Sequence, residues 1–393
     1  MRVKERYELA AELRERYAAA TKSERGALLD AFCLATGYER KYATKVLRGR
    51  RRRKSPVSVV RRRRRLYGVE FQRALKVAWE AGGHLCAERL QPFLPDLVML
   101  LKRHGQIDLD PATERLLVTA STSTVERNLV PLRRGLVARR MSQTKPGALL
   151  RRQIPVVVGK WKELDEPGYL EIDLVSHSGE VAAGDWIWTL TATDICTGWT
   201  ERVPTLGRGQ ATVLAALRQV RAQIPFPMLG LHPDNGSEFL NWHLVTYCRG
   251  DEGEGRRPIL LSRSRPEHKN DNAHVEQKNW TLVRKLIGYQ RLETPGHLAW
   301  LEGLYTELLR PYNNCFQPTL KLIGKEQVGE RTRKLYDRPR TPLQRVLESG
   351  AADPAKIGAL VDLYTAVSPL TLKRQIDRRL AAMPAALEAN TGA

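Results

Sequence analysis

The sequence predicts a multidomain chain: an α-helical N-terminal region with a helix-turn-helix pattern, an α/β core and a small C-terminal domain. Three observations carry that reading. At 393 residues the chain is too long for one ordinary domain, and at 42% hydrophobic it can bury real cores. Apolar residues recur at helical spacing through the first third, between two arginine runs and a Pro-Gly break. Beyond that break, short alternating β-prone runs are interleaved with helical patterns, and seven of the eight tryptophans fall between residues 161 and 300. The expected segmentation is 1–66, 67–135, a basic linker 136–160, a core at 161–317 and a basic, then helical, region at 318–393.

Residues 1–20 read as a helix with Leu9, Leu13 and Tyr17 on one face. Thr21 and Glu24 have capping-box spacing and open a second helix carrying Leu28, Leu29 and Phe32, which Gly37 is placed to end. A third helix, Glu39–Leu47, turns Tyr42, Ala43 and Val46 to one face and leaves Arg40, Lys41, Thr44 and Lys45 pointing elsewhere. A helix, a short glycine turn and a helix with basic outward residues is the helix-turn-helix pattern; by itself it also describes a plain helical hairpin. The arginines that follow favour a polyanionic partner. Arg50, Arg51 and Arg52, then Arg61, Arg62, Arg63, Arg64 and Arg65, read as phosphate-contacting arms. Residues 67–104 are helical by pattern, with Trp79, Leu90, Phe93, Leu97 and Leu101 in a small core. A second, weaker helix-turn-helix pattern pairs Pro111–Leu117 with Thr122–Leu129. Ser123 and Glu126 have capping-box spacing there, and Thr124, Arg127 and Asn128 are expected outward.

The core reads β-β-β-α-β-α-β-α. Strands are expected at Tyr169–His177, Trp186–Thr193, Trp199–Val203, Met228–His232 and Ile259–Ser262. Helices are expected at Gln210–Ile224, Ser237–Arg249 and about residues 272–287. The Thr197-Gly198 dipeptide is a hairpin signal, with Asp194 capping the turn. Beyond Pro318 a basic stretch, Arg331–Arg340, precedes short amphipathic segments at Pro342–Leu347, Pro354–Val367 and Leu370–Ala382.

The formal net charge of +22 puts nucleic acid ahead of a membrane as partner. There is no apolar run long enough to span a bilayer and no signal-peptide pattern, so a cytoplasmic, nucleoid-associated protein is expected. The five scattered cysteines form no CxxC pair and no zinc spacing.

Three segments each place one acid in a different local context. GYLEIDLVSH holds Asp173 inside a strand, LGLHPDNGSEF holds Asp234 just past a strand end, and KNDNAHVEQKNW holds Glu276 on a helix with Trp280 and Val283. A charge inside an apolar strand is costly without a partner, and converging carboxylates repel. Divalent cations resolve both problems. Hard Mg²⁺ or Mn²⁺, as two ions on Asp173, Asp234 and Glu276, suits phosphoryl transfer on a nucleic-acid backbone. Lys278 is expected beside the scissile phosphate, in contact with DNA.

The segments EIDLVSH, HPDNGSEF and DNAHVEQKNWTLVR resemble the three acidic motifs of the DDE transposases and retroviral-type integrases. The similarity is greatest to bacterial insertion-sequence transposases with an integrase core. It spans roughly residues 155–337, including TLTATDICTGWTE and NNCFQPTLKL. The gap from Asp234 to Glu276 is longer than is common in that family, and the Gly- and charge-rich Arg249–Arg257 can absorb the difference. The resemblance implies a ribonuclease H-like core with catalytic Asp173, Asp234 and Glu276. It also implies metal-dependent strand cleavage and 3′-OH strand transfer, double-stranded DNA (element ends and target) as partner, and a homodimer or higher oligomer on DNA. A nuclease that only hydrolyses and a catalytically silent DNA-binding regulator are the alternatives.

Overall fold

The structure is a computed structural model that describes residues 1, 3–49, 66–133, 166–180, 183–233, 238–239, 241–250, 257–263, 275, 278–328 and 331–383. The chain divides into two compact units, Met1–Leu66 and Tyr67–Ala393.

The first unit packs three helices, α1 (Val3–Ala19), α2 (Lys22–Thr36) and α3 (Arg40–Leu47). Ala10, Tyr17, Leu29, Phe32, Ala43, Val46 and Leu47 form its core. The Thr21–Glu24 capping box is made in both directions, and Gly37 closes α2 at φ 70°. That left-handed conformation costs glycine little and other residues more. Tyr42, expected inward, lies in an exposed aromatic cluster, edge-on to Tyr38 at 4.9 Å.

In the second unit, α4 (Val69–Ala81), α5 (Ala87–Arg103), α6 (Pro111–Thr119) and α7 (Thr122–Arg133) enclose a core around Phe71, Leu75, Leu90, Leu94, Leu97 and Leu101. Ser121, not Ser123, supplies the hydroxyl that accepts from the Thr124 amide, 3.3 Å away, and caps α7. Glu126 instead pairs with Arg133. These helices share their unit with the sheet and the C-terminal helices. Tyr312 donates its hydroxyl to the Ala81 carbonyl at 2.9 Å, and Gln344 donates to Asp96 at 2.9 Å.

The sheet has five strands in the order β3-β2-β1-β4-β5. β1 (Tyr169–Ser176) pairs antiparallel with β2 (Ile187–Asp194), which pairs antiparallel with β3 (Thr200–Leu206). β4 (Gly230–Pro233) and β5 (Leu260–Leu261) run parallel to β1. Helices α8 (Gln210–Gln223) and α9 (Trp242–Arg249) fall in the connections. The alternation of β1 separates two chemistries: Leu170, Ile172 and Leu174 enter the hydrophobic core, while Glu171 and Asp173 share the opposite face. The Thr197-Gly198 turn forms as expected, with Gly198 at φ 73°. Asp194 caps it, accepting from the Thr197 amide and hydroxyl at 2.7 Å and from the Gly168 amide at 2.7 Å.

The remaining chain departs from the pattern in two ways. Asn279–Arg284 and Leu304–Leu309 are π-helical, the first running into α10 (Lys285–Ile287) and the second lying between α11 (Pro295–Gly303) and α12 (Arg310–Phe316). The wider turn carries Asn279 and Val283 inward and leaves Trp280 38% exposed, so Trp280 does not anchor this segment as its spacing predicts. The basic stretch after Pro318 is not irregular: β6 (Leu322–Val328) and β7 (Arg331–Tyr336) form a separate antiparallel ribbon. The three C-terminal helices, α13 (Pro342–Ser349), α14 (Pro354–Ala366) and α15 (Pro369–Ala381), follow close to expectation.

Candidate functional site

Asp173 lies half-buried on β1, the middle strand of the sheet. Its Oδ1 accepts from the Leu174 amide at 2.8 Å and its Oδ2 from Asn279 Nδ2 at 2.6 Å. Asp173 pairs with Thr191, and Thr191 with Arg202, so the three stand in one row across β1, β2 and β3. Two residues before Asp173, on the same face, Glu171 is buried and its Oε2 accepts from the Val275 amide at 2.9 Å. The segment on either side of residue 276 is therefore fastened to β1 twice, at Val275 and at Asn279. Arg202 holds the next turn, donating from Nη1 to the Leu282 carbonyl at 3.1 Å, with its guanidinium 5.2 Å from the Tyr305 ring centre.

This face is unusually polar for an interior. Thr191 Oγ1, Arg202 Nε and Nη2, Asn279 Oδ1 and His177 Nδ1 are buried without a hydrogen-bond partner among the described residues. Buried polar atoms are normally paired, so such a group beside a carboxylate marks a place where further polar matter is accommodated. Burial lowers the Arg202 pKa to about 10.

Asp234 and Glu276 lie outside the described residues, as do Arg50, Arg51, Arg52 and Arg61 to Arg65. The residue before Asp234 is Pro233, the end of β4, which pairs with Ile172 beside Asp173. Lys278 makes a contact inside the protein. Its ammonium donates to the Gly198 carbonyl at 3.2 Å, and burial, then the Arg202 charge, lowers its pKa to about 8. It fastens this segment to the β2–β3 turn. Glu171, Arg202 and Asn279 were not among the expected site residues. The two-residue period of β1 carries the signal for Glu171, which must share the Asp173 face.

Of the expected DNA contacts, Lys41 and Lys45 are exposed on α3, and Arg40 is exposed but paired with Asp30. Thr44 returns its hydroxyl to the Arg40 carbonyl at 2.7 Å. On α7, Arg127 is exposed and Asn128 half-buried, with its Nδ2 donating to the Thr124 carbonyl at 2.8 Å. Thr124, expected outward, is buried, its hydroxyl 3.0 Å from that of Ser121.

One neighbour of the site has a consequence in acid. His177 is fully buried, with Nε2 2.8 Å from Thr189 Oγ1, which in turn lies 2.9 Å from the Tyr305 hydroxyl. Desolvation, then the Arg284 charge, lowers the His177 pKa from 6.5 to about 3. Below pH 6.5 the unfolded chain gains a proton that the folded one refuses, so this residue's contribution to stability falls as pH drops from 6.5 toward about 3. The slope approaches about 1.4 kcal/mol per pH unit only well below pH 6.5 and averages about 1 kcal/mol per unit between about pH 7 and pH 5. Urea unfolding between about pH 7 and pH 5 should show that slope in the parent and its loss in His177→Gln. Equal slopes would mean that His177 is not held neutral.

No family model matches the chain. Among solved structures, the catalytic core domain of BIV integrase is similar at 19% identity and a TM-score of 0.29, over 46% of this chain and 95% of that one. A simian T-cell lymphotropic virus intasome, solved in complex with PP2A regulatory subunit B56 gamma, is similar at 14% identity and a TM-score of 0.27, over 48% of this chain and 59% of that one. Both scores are too low to establish a common fold. At the level of sequence, "Uncharacterized protein y4rM" of Sinorhizobium fredii (strain NBRC 101917 / NGR234) is 40% identical over 343 residues, 86% of this chain and 94% of its own. The chain therefore belongs to the family of that Sinorhizobium protein.

Proposed function

We propose that this protein is a DNA transposase of the DDE type: it binds the terminal inverted repeats of a mobile element, hydrolyses a strand at each end and directs the freed 3′-OH at target DNA. The observation that carries the reading is Asp173 on the middle strand of a β3-β2-β1-β4-β5 sheet, with the chain on both sides of Glu276 hydrogen-bonded to that strand. This strand order supports the ribonuclease H-like core that the acidic motifs imply.

The donor set suits hard divalent cations, because Asp173, Asp234 and Glu276 offer only carboxylate oxygens. Two Mg²⁺ or Mn²⁺ ions held there would neutralise the carboxylates and polarise the phosphate under attack. The chain's own groups do the rest. Asn279 fixes the Asp173 carboxylate, and Glu171 and Arg202 hold the backbone around Glu276. Lys41 and Lys45, with the arginine arms Arg50–Arg52 and Arg61–Arg65, neutralise DNA phosphates. Joining two ends calls for a dimer or larger assembly on DNA.

The test is a strand-transfer assay. The protein, with Mg²⁺ or Mn²⁺, is incubated with duplexes carrying the inverted repeats that flank its own gene and with a supercoiled target. The expected product is a covalent joint between the repeat's 3′ end and target DNA. Strand cleavage that never proceeds to joining would replace the transposase reading with a nuclease; sequence-specific binding with neither reaction would replace it with a DNA-binding regulator.

A further inference from the structure

The ribbon β6–β7 belongs to neither the helix-turn-helix pattern nor the acid site. Among the described residues it pairs only with itself, as a two-stranded sheet. Lys325, Gln327, Thr332 and Lys334 on one face and Glu326 and Arg333 on the other are exposed, as are Ile323 at 66% and Tyr336 at 48%. A lone two-stranded hairpin is marginal in water, so this one must be held elsewhere. Its base is where that happens. Thr319 and Arg340 exchange backbone hydrogen bonds at 2.8 and 3.2 Å. Asp337 accepts from the Lys321 amide at 2.7 Å and from Arg345 of α13 at 2.6 Å, and Arg345 also donates to the Thr319 carbonyl at 3.0 Å. The ribbon is thus mounted firmly at one end and open to solvent along its length.

The register assigns its two faces different chemistry. One face carries Lys325 directly opposite Lys334, Gln327 opposite Thr332 and, past the register shift at Leu322–Gly324, Leu322 opposite Tyr336. Like charges directly opposite each other destabilise an antiparallel pair. On the other face Glu326 stands opposite Arg333, an acid facing a base. No acid shares the paired positions of the lysine face. Thr332 donates its hydroxyl to Gln327 Oε1 at 2.9 Å, which orders an amide and a hydroxyl beside the two ammonium groups. Two cations, an amide, a hydroxyl and an exposed phenol on a narrow two-stranded element match a polyanion with polar edges. The major groove of duplex DNA admits a two-stranded β-ribbon. A second copy of the chain fits this face poorly, because it would set two lysine pairs against each other in a protein already at +22.

We propose that the Lys325, Gln327, Thr332, Lys334 and Tyr336 face of the ribbon is a DNA contact, seated in a groove with its lysines on phosphates. The proposal rests on the reading of the protein as a DNA-processing enzyme.

The test uses the full chain and a fluorescein-labelled duplex of about 30 base pairs, with anisotropy titrations over a range of salt. Lys325→Ala/Lys334→Ala should flatten the plot of log affinity against log salt by roughly 1.8, two phosphate contacts at about 0.9 each. The affinity lost between about 50 and 200 mM salt then shrinks about tenfold. Lys325→Arg/Lys334→Arg should keep the parent slope. The alanine variant should melt at or above the parent temperature without DNA, because a repulsive pair has been removed, and this excludes misfolding as the cause. An alanine variant that binds DNA with the parent slope would overturn the ribbon contact and leave the transposase reading intact. No DNA binding by the parent at low salt would overturn both. A variant with unchanged DNA binding but altered mass in light scattering would assign the ribbon to self-association instead.

Discussion

On the transposase reading, Glu276→Gln should abolish strand cleavage and 3′-end joining at any Mg²⁺ concentration, as should Asp173→Asn and Asp234→Asn, while duplex binding in metal-free gel shifts survives. The loss expected is on the order of 10³-fold or more, because each carboxylate stabilises charge that develops only during the reaction. Three acids compete for the third position: Glu267, Asp271 and Glu276. Glu267 follows Pro266 in the segment SRSRPEHKN, and Asp271 precedes the expected helix, where a carboxylate suits capping. Glu276 is bracketed in sequence by two residues fastened to β1: Val275 on Glu171 and Asn279 on Asp173. Glu267→Gln should therefore stay active, and Asp271→Asn should lose stability before chemistry. Asn279→Ala, which frees the Asp173 carboxylate without removing it, should fall between the two groups, about 10–100-fold down. Gel-based cleavage and joining assays with matched circular dichroism separate these outcomes. An active Glu276→Gln protein, or an inactive but folded Glu267→Gln protein, would sink the assignment.

The parts of the fold that were legible in the sequence are those where one physical signal dominates. β1, β2 and α8 fall within one residue of expectation, because alternation or helical spacing coincides there with burial. Asp194 was readable as a turn cap because its carboxylate must answer the Thr197 amide and hydroxyl. The ribbon was not legible. Neither of its faces is buried, so its sequence lacks the apolar alternation that marks a strand. The π-helical stretch was hidden for a different reason. Helical spacing places Trp280 with Val283, but the wider turn pairs Asn279 with Val283 and turns Trp280 outward. Of the site, the acids were legible from their flanks. Arg202 was not, and for Glu171 the strand period gives its face but not its partner, because a charge in a strand shows its cost in sequence but not who shares it.

Glu201→Ala destabilises the second unit by about 3–5 kcal/mol. Glu201 is 1% exposed on β3 and accepts from Trp199 Nε1 at 2.8 Å and from Arg310 Nε at 2.8 and 2.9 Å. Arg310, at the start of α12, also donates to the Gln223 carbonyl at the end of α8 at 2.7 Å. One carboxylate thus ties an edge strand to two helices, and the strand carries Arg202 at the next position. Removing it leaves a largely buried guanidinium uncompensated and an indole N–H unpaired, and that desolvation penalty is where most of the loss arises. Two further variants distinguish this from simple loss of packing. Glu201→Gln keeps an acceptor for Trp199 and should cost less. Glu201→Leu/Arg310→Met, which removes both charges, should be less destabilised than the sum of its single variants. Urea unfolding followed by tryptophan fluorescence measures all of them. Additive single-variant costs would show that the pair contributes no coupling, and that burial of the aliphatic stems rather than the ion pair holds β3 to α12.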